Sequence, residues 1–167
     1  MRKTKPIAWQ RPILTRSSGV RGQVDLIDFQ SIPDGSFKHL LVYVDHGIKQ
    51  VFTIPIVAKR ASTIAFALFQ IFKVIGPPVI LQSDKGREFS DAAQSRTEKL
   101  EDDFLDEVIL EIKKLWKGCS MVRGSPCYSP ANGGVERMNY NIETKLVKWM
   151  ADNKSTAWSI GCHLIQW

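Results

Sequence analysis

The run ASTIAFALFQIFKVI (residues 61–75), closed by Gly76-Pro77-Pro78 and followed at once by VILQS (79–83), constrains this chain more than any other stretch. The first segment is long enough for a helix and apolar on most faces, so it must be largely buried. The second is short, wholly apolar until its end, and bounded by turn residues. That is the pattern of a strand covered on both faces in the middle of a parallel sheet. A buried helix leading directly into a buried strand predicts a crossover unit.

The segments on either side fill in the sheet. QVDLIDF (23–29), HLLVYVD (39–45) and KQVFTIPI (49–56) are rich in β-formers. Turn residues at Pro33-Asp34-Gly35 and Asp45-His46-Gly47 join them, which predicts an antiparallel meander. After an acidic stretch of low hydrophobicity (90–103), Leu105, Val108, Ile109, Ile112, Leu115 and Trp116 recur at helical spacing until Gly118. CSMV (119–122) reads as a further strand and RGSPCYSPANGG (123–134) as a loop. VERMNYNIETKLVKWMADN (135–153) is the clearest helix, and STAWSIGCHLIQW begins another amphipathic turn or two. The order β-β-β-α-β-α-β-α implies an α/β fold with a mixed five-stranded sheet, a meander followed by parallel βα units, flanked by helices. That architecture is ribonuclease H-like.

At 167 residues the chain suits one domain with a proper core. Residues 1–21 carry Arg2, Lys3, Lys5, Arg11, Arg16 and Arg21 without an acid, and read as a basic linker or arm before a core spanning 22–167. The net charge of +6 favours an acidic partner, nucleic acid before membrane. No apolar run is long enough to cross a bilayer. Cys119, Cys127 and Cys162 form no close pair and the three histidines are scattered, so no structural zinc site is expected.

In a sheet of this kind, ligands and metals gather at the carboxyl ends of the parallel strands and at adjoining helix starts. Asp25 in the first strand, Asp84 at the end of the fourth and Glu136 in the first turn of the long helix all fall there. On that helix Val135, Met138, Ile142, Leu146 and Trp149 form one apolar stripe. Glu136 lies off it, beside Tyr140, Glu143 and Val147. Taken singly, Glu136 is a solvated acid favoured by the helix dipole. Jointly, two Asp and a Glu suit hard divalent cations, Mg²⁺ or Mn²⁺, with water and phosphate oxygens completing the shell. Two such ions serve phosphodiester transfer.

At these residues the sequence resembles the integrase catalytic cores of retroviruses and Ty3/gypsy-like elements, with their Asp-Asp-Glu transposase relatives. The motifs are GQVDLIDF, KHLLVYVDHGIKQVFTIPI, GPPVILQSDKGREF and SPANGGVERMNYNIETKL, in family order from residue 22 to about 166. The likeness extends to integrase cores domesticated by vertebrate genomes, including copies attached to KRAB or SCAN modules. It implies Asp84 as the second catalytic, metal-binding carboxylate and Glu136 as the third. For the first, Asp25 matches through Gln23-Val24, with Gly22 standing where the family has an aromatic. Asp28 competes through IDF. Three apart in a strand, they face opposite sides and only one can serve; Asp25 is preferred. Asp45 resembles a noncatalytic Asp of the family's second strand.

The implied chemistry is hydrolysis near a DNA 3′ end, then attack of that hydroxyl on target DNA, in the nucleus. Lys85, Arg87, Arg123 and Arg137, with Tyr128 and Asn132 in the loop before the helix, are the candidate DNA contacts. Family cores commonly dimerise, and the apolar helix 104–117 offers one surface for a homodimer.

Fifty-one residues separate Asp84 from Glu136, more than in retroviral members, and the excess falls in an acidic insertion at about 90–104. A loop tolerates that length at small entropic cost, but its charge opposes phosphate unless it folds away. No upstream zinc module or downstream DNA-binding barrel accompanies the core, and the chain ends within the expected final helix, as a fragment would. Two readings remain open: an active metal-dependent polynucleotidyl transferase, or a catalytically silent domesticated core acting as a DNA-binding or protein-interaction module.

Overall fold

The computed structural model describes residues 17–83, 116–123 and 129–165, with 110, 112 and 114; of 61, 121–123 and 129–136 only the backbone is described. Five strands form one mixed sheet in the order β3-β2-β1-β4-β5. They are β1 (Arg21–Asp28), β2 (His39–Asp45), β3 (Val51–Ile56), β4 (Ile80–Ser83) and β5 (Ser120–Arg123). β1, β2 and β3 pair antiparallel as the meander, and β4 joins β1 in parallel with β5 parallel beyond it. The helices whose bounds fall within the described residues are α1 (Ala61–Ile75), α2 (Ser129–Asp152) and α3 (Trp158–Leu164).

The interior position of β2 explains its apolar run at 40–44, since all seven residues of the strand are buried and a strand covered on both faces has no solvent side. One face of the sheet carries Val24, Leu41, Tyr43 and Leu81, in one cluster with Ile64, Leu68, Ile71 and Phe72 of α1 and with Ile112. The other carries Ile27, Leu40, Val42 and Val44, clustered with Ile142 and Leu146 of α2 and Trp158 and Cys162 of α3. The helical stripe read from the sequence thus packs where Met138, Ile142 and Leu146 predict. α1 ends as the sequence predicts, at Gly76, whose φ of 79° suits a residue without Cβ and whose N–H bonds the Phe72 carbonyl at 2.8 Å.

Gly22 occupies a special place. A Cβ there would lie 2.3 Å from Tyr43 Oη and 2.4 Å from Cε2, so the Tyr43 ring fills the space over the glycine. The ring is fully buried and meets Phe72 edge-on at 5.4 Å. Tyr43 of the neighbouring strand thus takes the space that a side chain at position 22 would need.

Several boundaries differ from the sequence reading, each for a local reason. β3 begins at Val51 rather than 49 because Lys49 has φ 59° and its N–H bonds the Asp45 carbonyl, which continues the turn. β5 is shifted by one residue, to Ser120–Arg123. Part of the supposed basic arm belongs to the core: Arg21 opens β1, the Gly19 N–H bonds Asp45 Oδ2 at 2.9 Å, and Val79 N–H bonds the Gly19 carbonyl. The largest correction is α2, which starts at Ser129, inside the predicted 123–134 loop. Pro130 stands in its first turn, where a missing N–H costs nothing. Gly133 and Gly134, each worth about 1 kcal/mol against a helix relative to alanine, do not stop propagation from so strongly periodic a segment. The acidic insertion and most of the predicted 104–118 helix lie outside the described residues, although Leu110, Ile112 and Lys114 are helical.

A polar site between the central strand and the long helix

Alternation along β1 sends Asp25 and Asp28 to opposite faces. Asp25 shares the face of Ile27 and Phe29, which α2 and α3 cover, whereas Asp28 follows Val24 and Leu26 onto the α1 side. Asp28 is largely exposed. Its carboxylate accepts the Gln30 N–H at 2.8 Å and the Gln30 side-chain amide at 2.9 Å. The Gln30 backbone bond is the main reason its carboxyl sits below the ordinary aspartate value. Asp28 is therefore a strand-end turn former, 3.6 Å from His39 Nδ1.

Asp25 is half-buried and held from two directions. Oδ1 accepts the Leu26 N–H at 2.8 Å, and Oδ2 accepts Asn139 Nδ2 of α2 at 2.5 Å. Position 136 lies one helical turn before Asn139 and so shares its side of the helix. In the parallel pairing Val24 stands opposite Ser83, the last residue of β4. Asp25 thus neighbours the strand end from which the chain continues to Asp84.

The same face of β1 is polar toward its start. Arg21 Nη1 donates to Gln82 Oε1 of β4 at 2.9 Å, and Gln23 Oε1 lies 3.1 Å from His46 Nε2. Burial, then the charges of Lys49 and Arg21, hold the His46 ring below its ordinary basicity. Gln23 is 1% exposed. Its Nε2 and the Oδ1 of Asn139 are buried atoms without a hydrogen-bond partner among the described residues. Such atoms are rare in a settled core.

Asp45 is a structural residue. Its Oδ1 accepts the N–H groups of Gly47 and Ile48, and its Oδ2 accepts Ser18 Oγ and the Gly19 N–H. Burial pushes the carboxyl up, but these bonds outweigh it and the net shift is downward. The carboxylate clamps the β2–β3 turn to the segment entering β1.

The other predicted site residues divide as follows. Asp84, Lys85, Arg87 and Tyr128 lie outside the described residues. Glu136 and Asn132 are placed on α2 by their backbone, with two differences from expectation. Asn132 belongs to the helix rather than the loop, and Glu136 comes seven residues after the helix's first residue rather than in its first turn. The dipole argument for Glu136 thus weakens, since that effect fades beyond the first turn. Arg123 closes β5 opposite Ser83, and Arg137 is exposed on α2. Asn139 was missed by the sequence reading. Its signal was its place three residues after Glu136, on the same helical side.

No family model matches the chain. The human KRAB-A domain-containing protein 2 is 30% identical to it over 144 residues, 86% of this chain and 26% of that protein. The chain therefore spans about a quarter of the length of that curated relative. The catalytic core domain of BIV integrase matches with a TM-score of 0.58 at 17% identity, over 86% of this chain and 80% of that one. A chain of the simian T-cell lymphotropic virus intasome, solved in complex with the PP2A regulatory subunit B56 gamma, matches with a TM-score of 0.59 at 20% identity, over 92% and 49%. The fold is ribonuclease H-like. It is, more narrowly, that of a retroviral integrase catalytic core.

Proposed function

We propose that this chain is an integrase-like core that binds DNA and, with divalent cations, cleaves and joins phosphodiester bonds, acting in the nucleus. The observation that carries the reading is the Asp25–Asn139 hydrogen bond. It ties the acid of the central strand to the helix side that bears position 136, beside the strand end leading to Asp84. A set of carboxylate oxygens suits Mg²⁺ or Mn²⁺, and the half-buried, doubly bonded Asp25 fits a ligand held in one orientation. Asp25, Asp84 and Glu136 would hold the ions, which supply activation of the attacking oxygen and stabilisation of the leaving one.

The chain's own residues contribute orientation and charge. Asn139 keeps the Asp25 carboxylate from rotating, as an outer partner does for a metal ligand. Arg137, with Lys85, Arg87 and Arg123, supplies phosphate contacts, and Tyr128 and Asn132 flank them; such contacts position DNA without reading its sequence. A second copy is the expected partner. Phe66 (63% exposed) and Phe69 (36% exposed), one turn apart on α1, support a self-association face on that helix.

The test is nicking and strand transfer on a labelled duplex with Mg²⁺ or Mn²⁺. Asp25→Asn, Asp84→Asn and Glu136→Gln should each abolish activity that Asp28→Asn retains. An inert parent that still binds DNA with a steep salt dependence would replace the enzyme by the silent DNA-binding core.

A further inference from the structure

The pitch of α2 fixes what stands beside position 136. At about 100° per residue, Tyr140 lies about 40° from position 136 and about 60° from Arg137 around the helix. Thr144 and Lys148 continue the Arg137 side, while Glu143 and Asn139 lie beyond 136 on the other. The exposed surface of α2 therefore runs from Glu143, on the side of the Asp25-bonded amide, to Tyr140, and then to a stripe bearing Arg137 and Lys148. Tyr140 stands between the acidic part and the basic part.

Its ring is 68% exposed, the most exposed aromatic among the described residues. None of the described ring pairs includes it. The Thr144 hydroxyl is turned back to the Tyr140 backbone carbonyl at 2.8 Å rather than toward solvent. A lone exposed aromatic is ordinary on a protein surface. One placed a helical turn from a carboxylate site, with cations on its far side, has the layout of a single-strand platform, where cations track phosphates and the ring takes a base.

We propose that Tyr140 is a stacking platform for an unpaired base at the DNA end engaged by this site, with Arg137 and Lys148 meeting the adjoining phosphates. This rests on the nucleic-acid reading above. Because every base has a π face, the contact favours frayed or overhanging ends over blunt ones without selecting a sequence.

The experiment is fluorescence anisotropy with three labelled duplexes: one with a short 3′ overhang, the same with abasic overhang positions, and one blunt. The proteins are the parent, Tyr140→Phe and Tyr140→Ala, with far-UV circular dichroism to confirm equal folding. Tyr140→Phe should bind as the parent does. Tyr140→Ala should lose about five- to hundredfold affinity for the overhang duplex, the range of one lost stacking contact, and leave the abasic and blunt duplexes unchanged. Equal losses on all three duplexes, or none on the overhang, would overturn the platform while the nucleic-acid reading stands. A parent that binds none of the three would overturn both.

Discussion

Replacing Gly22 by alanine tests whether the Tyr43 ring of β2 fills the space over this position of β1. The new Cβ would stand 2.3–2.6 Å from three atoms of the Tyr43 side chain, about 1 Å inside ordinary contact. The ring has little room to retreat, being fully buried with its neighbour Phe72 at 5.4 Å. Overpacking of this kind costs about 1–3 kcal/mol, and the immobility of the ring puts Gly22→Ala near the upper end. Against that, alanine recovers about 0.5–1 kcal/mol of strand stability that glycine forfeits. The net expectation is a loss of about 2 kcal/mol. In a Tyr43→Val background the clash vanishes, and the same substitution should stabilise by about 0.5–1 kcal/mol. Urea unfolding of the four proteins measures the coupling, expected at about 2–3 kcal/mol. If Gly22→Ala has the same effect in both backgrounds, within about 0.5 kcal/mol, the argument is wrong.

Asn139→Ala should raise the Mn²⁺ dissociation constant about 10- to 100-fold, as loss of an outer partner does; isothermal titration that finds no change would remove Asn139 from the site. Stability should fall on acidification in two stages. His39 and His46 are held below their ordinary 6.5, in both cases first by burial, so the stability tied to their neutral forms is present above that pH and lost as pH falls through the lowered values. Asp45, held below 3.8 on balance, adds a loss as pH falls further, and Asp45→Asn should narrow its deficit against the parent in that range. Urea midpoints between pH 8 and about 2 test both stages, and an unchanged midpoint would contradict them. Asp34 Oδ2 accepts the N–H and hydroxyl of Ser159 at the start of α3, a cap supplied from 125 residues away. Asp34→Ala should therefore cost about 0.5–2 kcal/mol by the same measurement, and a neutral result would show that the cap is idle.

Local pattern made much of this fold legible. α1 runs over the predicted 61–75 because an apolar run ended by Gly-Pro-Pro leaves no other boundary. β2 follows the predicted 39–45 because the apolar run 40–44 needs cover on both faces, which an interior strand has. The stripe at Met138, Ile142 and Leu146 follows from helical period alone. α2's beginning did not follow, since Gly133 and Gly134, which read as loop signals, lie inside the helix.

The sequence by itself determined the order of elements, the opposition of Asp25 and Asp28 across β1, and the common side of positions 136 and 139 on α2. All are consequences of period, two residues for a strand and 3.6 for a helix. Only the tertiary structure decided which face of the sheet α2 covers, and hence that Asp25 rather than Asp28 meets Asn139, 114 residues away. It alone revealed the Tyr43 ring over Gly22 and the role of Asp45 as a clamp. Periodicity fixes a side chain's direction relative to its own element. The face that finds a partner depends on where the chain crosses over, and no local pattern encodes that.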